Sequence, residues 1–138
     1  MQILDIPILK FIEVKKENDK FILQYNDKNK NHLNSIHAAS QFALAEAGSA
    51  TMLQELFPTY KDDVIAVLRE SKLKYKKQAT GKISSFVDIK EDRLLKFKNQ
   101  LERKSRATII LEVELKDKEE AITCQASFTW FIQKINSK

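Results

Sequence analysis

The stretch NHLNSIHAASQFALAEAGSATML, residues 31–53, carries one carboxylate in a run of alanine, serine and other small residues. On a helical wheel Glu46 has Phe42 and Ala43 one turn before it and Ser49 and Ala50 one turn after. Ala39 and Leu53 lie two turns away in either direction. The stripe is apolar apart from Glu46 and Ser49. Removing a lone carboxylate from water costs several kcal/mol, about the scale of a buried ion, unless it is paired or its pKa rises. The position therefore points to acid–base or nucleophilic chemistry. Periodicity alone also admits a glutamate that reaches solvent at a helix edge or pairs with a lysine.

The residues that open this helix offer a second chemical group. Asn34 or Ser35 is expected to cap it. The first backbone N–H groups of a helix have no internal acceptor and carry partial positive charge, so they can hold an anion or a developing oxyanion. His37 precedes Glu46 by nine residues, about 13 Å along an ideal helix. That is too far for both to act on one atom within one chain. Two neighbouring helices related by a two-fold axis would bring the N-terminus of one to the carboxylate of the other.

These groups need a scaffold. At 138 residues the chain is the size of one ordinary domain, and a single domain over 1–138 is expected. Hydrophobic residues are 43% and charged residues 31%, a soluble, globular balance. No apolar run approaches the roughly 18 residues that span a bilayer. The N-terminal run MQILDIPILKFIEVKKENDK is interrupted by Asp5 and Lys10 and lacks a signal-peptide layout. The reading is cytoplasmic.

Residues 20–26 (KFILQYN) have strand character, and 26–31 (NDKNKN) form a polar turn. The helical pattern runs over 36–57 and is stopped by Pro58. Residues 64–68 are a β-branched run, 71–77 alternate with period two, and 82–89 form a further strand. Residues 91–104 carry Leu94, Leu95, Phe97 and Leu101 among many charges, as a short amphipathic helix. Two strong strands follow at 107–115 and 121–132, joined through Asp117, Lys118 and Glu119 as a hairpin. The fold class is α+β with an antiparallel sheet. A long helix so poor in bulky residues can be approached closely from all sides. The simplest geometry is a sheet curling around it.

At these residues the chain meets a known pattern. Asn31, then His37-Ala38, then Glu46 resembles the motif that opens the central helix of hotdog-fold acyl-CoA thioesterases, especially the phenylacetyl-CoA type. There it reads N-x5-H-G, followed eight residues after the glycine by Asp or Glu. IHAASQFALAEAGSATML is closer still to a less-studied bacterial thioesterase branch, and IILEVELKD and AITCQASFTWFI resemble its last two strands. The likeness spans residues 18–133. It implies a hotdog fold, a long central helix wrapped by a curved antiparallel β-sheet. It also implies a homodimer, often paired into a tetramer, with sites at the subunit interface. By the same resemblance Glu46 is the general base or nucleophile, and the Ala38 N–H polarises the thioester carbonyl. Asn31 positions the water or supports the carboxylate, and His37 orients the oxyanion donor. Ala38 stands where that motif has glycine, and its methyl narrows the approach.

The implied substrate is an acyl-CoA or acyl-carrier thioester. Phe42, Leu53 and Phe57 form an apolar wall that could line an acyl tunnel and raise the Glu46 pKa. No cofactor is expected beyond the coenzyme A portion of the substrate. Lys72, Lys74 and Lys76 fall on one face of a strand with Leu73 and Tyr75 on the other. A basic rim of this kind suits the coenzyme's phosphates, and equally a solvated face or a protected sheet edge.

Other chemistries find little support. The single Cys124 excludes an internal disulfide and a cysteine metal site, and its strand context predicts a buried thiol. Two histidines, His32 and His37, do not make a metal site. There is no G-x-S-x-G elbow. Trp130 is read as core or interface. The net charge of +5 is mild, and no nucleic-acid motif or stacking platform accompanies it. The leading reading is a thioester hydrolase. The alternatives are a non-catalytic acyl-CoA or lipid-binding module of the same fold and, more remotely, a basic nucleic-acid-associated protein.

Overall fold

The computed structural model describes residues 2–56 and 63–135. A 3-10 turn at Ile3–Asp5 leads into helix α1 (Pro7–Ile12), with proline at the helix start, where its missing N–H is harmless. Strands β1 (Lys15–Glu17) and β2 (Lys20–Gln24) form a hairpin. Its turn residues Asn18 and Asp19 both have positive φ, 51° and 62°, the left-handed backbone that suits a tight two-residue hairpin. The long helix α2 (Ala38–Leu56) follows, then β3 (Val64–Tyr75) and β4 (Lys82–Asp88). Helix α3 (Glu91–Lys104) comes next, and the chain ends on β5 (Arg106–Lys116) and β6 (Ile122–Lys134). The six strands make one antiparallel sheet in the order β1-β2-β4-β5-β6-β3.

The inner face of the sheet is set by alternation. Ile109, Leu111, Val113 and Leu115 of β5 point inward, as do Ala126, Phe128, Trp130 and Ile132 of β6, and all are buried. Leu44 and Ala45 of α2 are fully enclosed against them. Each fully buried leucine or phenylalanine contributes about 1.5–3 kcal/mol relative to exposure. The small residues of α2 let β4 come very close. A Cβ on Gly48 would stand 3.0 Å from Ser85 Oγ and 3.1 Å from its Cβ. Ile3, Leu9 and Ile12 add the N-terminal segment to the same core. The central helix wrapped by the sheet is as the sequence predicts.

Several boundaries differ from expectation. The runs at 64–68 and 71–77 are one strand, interrupted by an irregularity between Leu68 and Glu70. There Arg69 lies over the Phe131 ring, 4.3 Å from its centroid. The strand expected over 20–26 is β2 and ends at Gln24, before Tyr25 and Asn26. Helix α2 begins at Ala38, not at residue 36. The expected stop at Phe57 and Pro58 lies outside the described residues. Helix α3 has the predicted bounds. Glu91 and Asp92 sit in its first turn and Arg103 and Lys104 in its last, as the helix dipole favours. It ends at Ser105, φ 59°. The β5–β6 hairpin is closed by Asp117, whose carboxylate accepts the Glu119 and Ala121 N–H groups.

Candidate active site on the central helix

The N-terminus of α2 is built by the polar loop that precedes it. Asn29 is buried, and its side chain is fully used. Nδ2 donates to the Gln24 and Ile12 carbonyls, and Oδ1 accepts the Asn26 N–H. Its own carbonyl accepts the His37 N–H at 2.7 Å. Ile36 N–H donates to the Ala79 carbonyl at 2.7 Å. The loop therefore ties α1, β2 and the segment after β3 to the first turn of α2.

Asn31 closes the same loop. Its Oδ1 accepts the Leu33 N–H, the Ser35 N–H and the Ser35 hydroxyl. Among the described residues its Nδ2 has no partner, and that donor remains available. Asn34, expected as a cap, has left-handed backbone (φ 58°), and Ser35 is buried against Asn31. The cap is His37. Its Nδ1 accepts the Ala39 N–H at 2.9 Å. A backbone N–H only donates, so Nδ1 carries no proton and the ring proton sits on Nε2. Histidine is an uncommon cap, and Asn34 and Ser35 are the residue types a cap search favours.

Ala38 is the first helical residue, and its N–H has no partner among the described residues. Its φ is not positive, so alanine needs none of a glycine's extra backbone freedom here. The Tyr75 hydroxyl, from the end of β3, donates to the Ala38 carbonyl at 3.2 Å.

Glu46 is half-buried, in a stripe of α2 that the sheet covers incompletely and that runs through Ala39, Ala43, Glu46 and Ala50. Its carboxylate makes no hydrogen bond or ion pair among the described residues. Burial pushes its carboxyl above the ordinary value of 4.5. The helical turn beneath it is anchored from the core. The Ser49 hydroxyl donates to the Glu46 carbonyl at 2.8 Å and accepts the Trp130 indole N–H at 3.0 Å. Phe42 meets the buried Phe128 edge to face at 5.8 Å, and Leu53 is buried about two turns beyond Glu46.

The structure thus places Glu46, Phe42 and Leu53 on one side of α2, with Asn31, His37 and Ala38 at its N-terminus. Eight residues separate Ala38 from Glu46, about 12 Å of helix, so one chain does not bring them together. Lys72 and Lys74 lie on the outer face of the sheet, opposite α2, because they pair with Ser127 and Gln125 while Leu73 and Tyr75 turn inward. Lys76 lies just past β3, with its N–H on the Thr123 carbonyl. Sequence reasoning missed Tyr75 and Asn29 as neighbours of the helix start. Alternation put Tyr75 on the inner face without naming its partner, and nothing in NDKNKN distinguishes Asn29 from its exposed neighbours.

Cys124 is buried, and desolvation pushes its thiol up to about 11, so it is not a poised nucleophile. Among the described residues no group of three histidines, cysteines or carboxylates is placed to hold a metal ion. No described helix is long and apolar enough to cross a membrane.

A long helix wrapped by a curved antiparallel sheet, with its N-terminus set on a polar loop and a lone carboxylate at mid-helix, defines a hotdog-fold domain. More particularly, the chain belongs to the family described as Domain of unknown function (DUF4442), whose model matches residues 8–132. Among solved structures it is similar to a protein of unknown function from Pseudomonas aeruginosa named a probable thioesterase. The identity is 17%, the TM-score 0.81, and the match covers 96% of this chain and 93% of that one. A Haemophilus influenzae thioesterase matches with 8% identity and TM-score 0.72, over 99% of this chain and 89% of that one. A Bacillus halodurans protein solved with CoA matches with 15% identity and TM-score 0.69, over 95% and 85%. No curated protein matches the chain.

Proposed function

We propose that the protein hydrolyses acyl thioesters, of coenzyme A or an acyl carrier, at a site shared by two copies of the chain. One observation carries this reading. A half-buried carboxylate, Glu46, lies on the same helix as the N–H of Ala38 at its start, and neither has a partner among the described residues. The names of the similar solved structures, thioesterases and a CoA complex, support it.

A two-fold axis between antiparallel α2 helices brings the Ala38 N–H of one chain towards Glu46 of the other. Two features of the structure suit that pairing. The small stripe Ala39, Ala43 and Ala50 around Glu46 allows close approach. Strand β3 is an edge of the sheet, twelve residues long, with Ile65 and Val67 48% and 44% exposed, an edge that a second β3 can extend.

In this site the Ala38 N–H donates to the thioester carbonyl oxygen and stabilises the oxyanion as it forms. Glu46, acting as general base, takes a proton from water while the water oxygen attacks the carbonyl carbon. The carbon–sulfur bond then breaks, the thiolate leaves, and it recovers a proton. The same carboxylate could instead attack directly and form an anhydride that water opens. His37 fixes the first turn through Nδ1, and Asn31 Nδ2, without a partner among the described residues, is a donor for the water. Phe42 and Leu53 flank the acyl group, and Lys76 follows Tyr75, whose hydroxyl donates to the Ala38 carbonyl.

The test is thioester cleavage, followed as thiol release over a panel of acyl-CoAs, by the wild type and by Glu46→Gln and Glu46→Ala. The expected loss is about 10²–10⁴-fold in kcat, the usual contribution of a general base. Wild-type turnover in both variants sinks the assignment. Tight acyl-CoA binding by the wild type without thiol release identifies the non-catalytic binding module instead.

A further inference from the structure

The Ala38 N–H sits between pinned peptides. Before it, the His37 N–H donates to the Asn29 carbonyl and the Ile36 N–H to the Ala79 carbonyl, both at 2.7 Å. After it, the peptide that joins Ala38 to Ala39 is held at both ends. Its N–H donates to His37 Nδ1 at 2.9 Å, and its carbonyl accepts the Tyr75 hydroxyl at 3.2 Å. The peptide in between joins His37 to Ala38. Its carbonyl accepts the Ser40 and Gln41 N–H groups at 2.9 and 3.0 Å, while its N–H has no partner among the described residues. A peptide is planar and moves as a unit, so holding its neighbours sets the direction in which that N–H points.

Two of these ties are made by side chains, His37 and Tyr75, and of the two only Tyr75 reaches in from the sheet. Tyr75 ends β3 opposite the fully buried Cys124. The next two N–H groups, of Lys76 and Lys77, both donate to the Thr123 carbonyl. The Thr123 hydroxyl in turn donates to Gln41 Oε1 at 3.0 Å, in the first turn of α2. One buried residue therefore anchors both the strand end that carries Tyr75 and the helix start that it meets. The Tyr75 residue is 46% exposed. Its tie to the helix is the hydroxyl rather than core packing, so Tyr75→Phe removes that tie without opening a cavity.

We infer that Tyr75 is a positioning residue for the oxyanion donor: its hydroxyl fixes the peptide after Ala38 and so aims the Ala38 N–H into the site. The catalytic consequence rests on the thioester hydrolysis proposed above. The hydroxyl acts through Ala38 and does not contact the substrate. An oxyanion donor stabilises charge only while it stays where that charge develops, so a loosened first turn lowers the rate more than it weakens substrate binding.

The experiment compares Tyr75→Phe with the wild type, in the native background and in Ala38→Pro. In the native background kcat should fall about 10-fold with KM unchanged, the scale of one hydrogen bond. In Ala38→Pro, which has no N–H to aim, the same substitution should cost nothing further. Amide hydrogen exchange supplies a readout independent of activity. The Ser40 and Gln41 N–H groups should exchange up to about 10-fold faster in Tyr75→Phe, while the amides of Leu111 and Phe128, in the middle of the sheet, keep their wild-type rates. Faster exchange throughout the sheet would mark general destabilisation and overturn the inference. So would unchanged exchange at Ser40 and Gln41, or a wild-type kcat in Tyr75→Phe. An equal loss in both backgrounds also overturns it, because it would place the hydroxyl on the substrate. Absence of thiol release by the wild type sinks the hydrolase reading instead, and the exchange rates still decide whether Tyr75 holds the turn.

Discussion

At the residue scale the site turns on Glu46 and Ala38. Replacing Ala38 by proline removes the N–H at the first helical position, where proline is well tolerated. Ala38→Pro should keep the fold within about 1 kcal/mol by urea denaturation and lower kcat by about 10²–10³-fold, the cost of one oxyanion donor. The raised pKa of Glu46 makes two predictions of opposite sense. As a base it must be ionised, so kcat/KM should fall as pH drops through a value above the ordinary 4.5 of glutamate. For stability, a folded-state pKa raised by burial favours the protonated fold. That stability is present below the unfolded pKa and lost as pH rises through the folded one. Glu46→Gln should therefore have a higher Tm than wild type at neutral pH, with the gain fading in acid. Glu46 was legible in the sequence because an isolated carboxylate stands out on a wheel of small residues. His37 as the cap was not, because Asn34 and Ser35 compete for that assignment, and only the hydrogen bonds of Asn31 show that they are engaged in the loop.

At the element scale the close seat of α2 on β4 is the most constrained contact. Gly48→Ala places a Cβ against both Oγ and Cβ of Ser85. The Ser85 Cβ is fixed to its strand and does not swing away. Overpacking of about 1–3 kcal/mol should outweigh the roughly 1 kcal/mol that alanine gains as a helix former. The urea midpoint should fall, and Ser85→Ala added to it should restore only part of the loss, since the Cβ contact remains. Long elements with a clear period were readable: α2, α3, β5 and β6. Short or exposed ones were not. Helix α1 has six residues and β1 has three, all exposed, too few to display a period. In β3 the irregularity beside Arg69 shifts the alternation, so one strand reads as two.

At the scale of the whole molecule, a helix of small residues with strands after it was enough to suggest the wrapped fold. The larger assembly depends on surfaces that a single sequence does not display. The β3 edge and the Ala39–Ala43–Ala50 stripe become meaningful only when the strand order is known. The proposed site needs Glu46 from one chain and the start of α2 from its partner, because about 12 Å of helix separates them within one chain. Complementation tests this most directly. Glu46→Gln and Ala38→Pro chains are each purified, then unfolded and refolded together, and thioester cleavage is measured. A mixed dimer would hold one site with Glu46 and the Ala38 N–H both intact and one site with both lost. The account predicts two inactive parents and a mixed dimer with about half the wild-type kcat, the arithmetic of independent sites. A folded mixed dimer as inactive as its parents would contradict it.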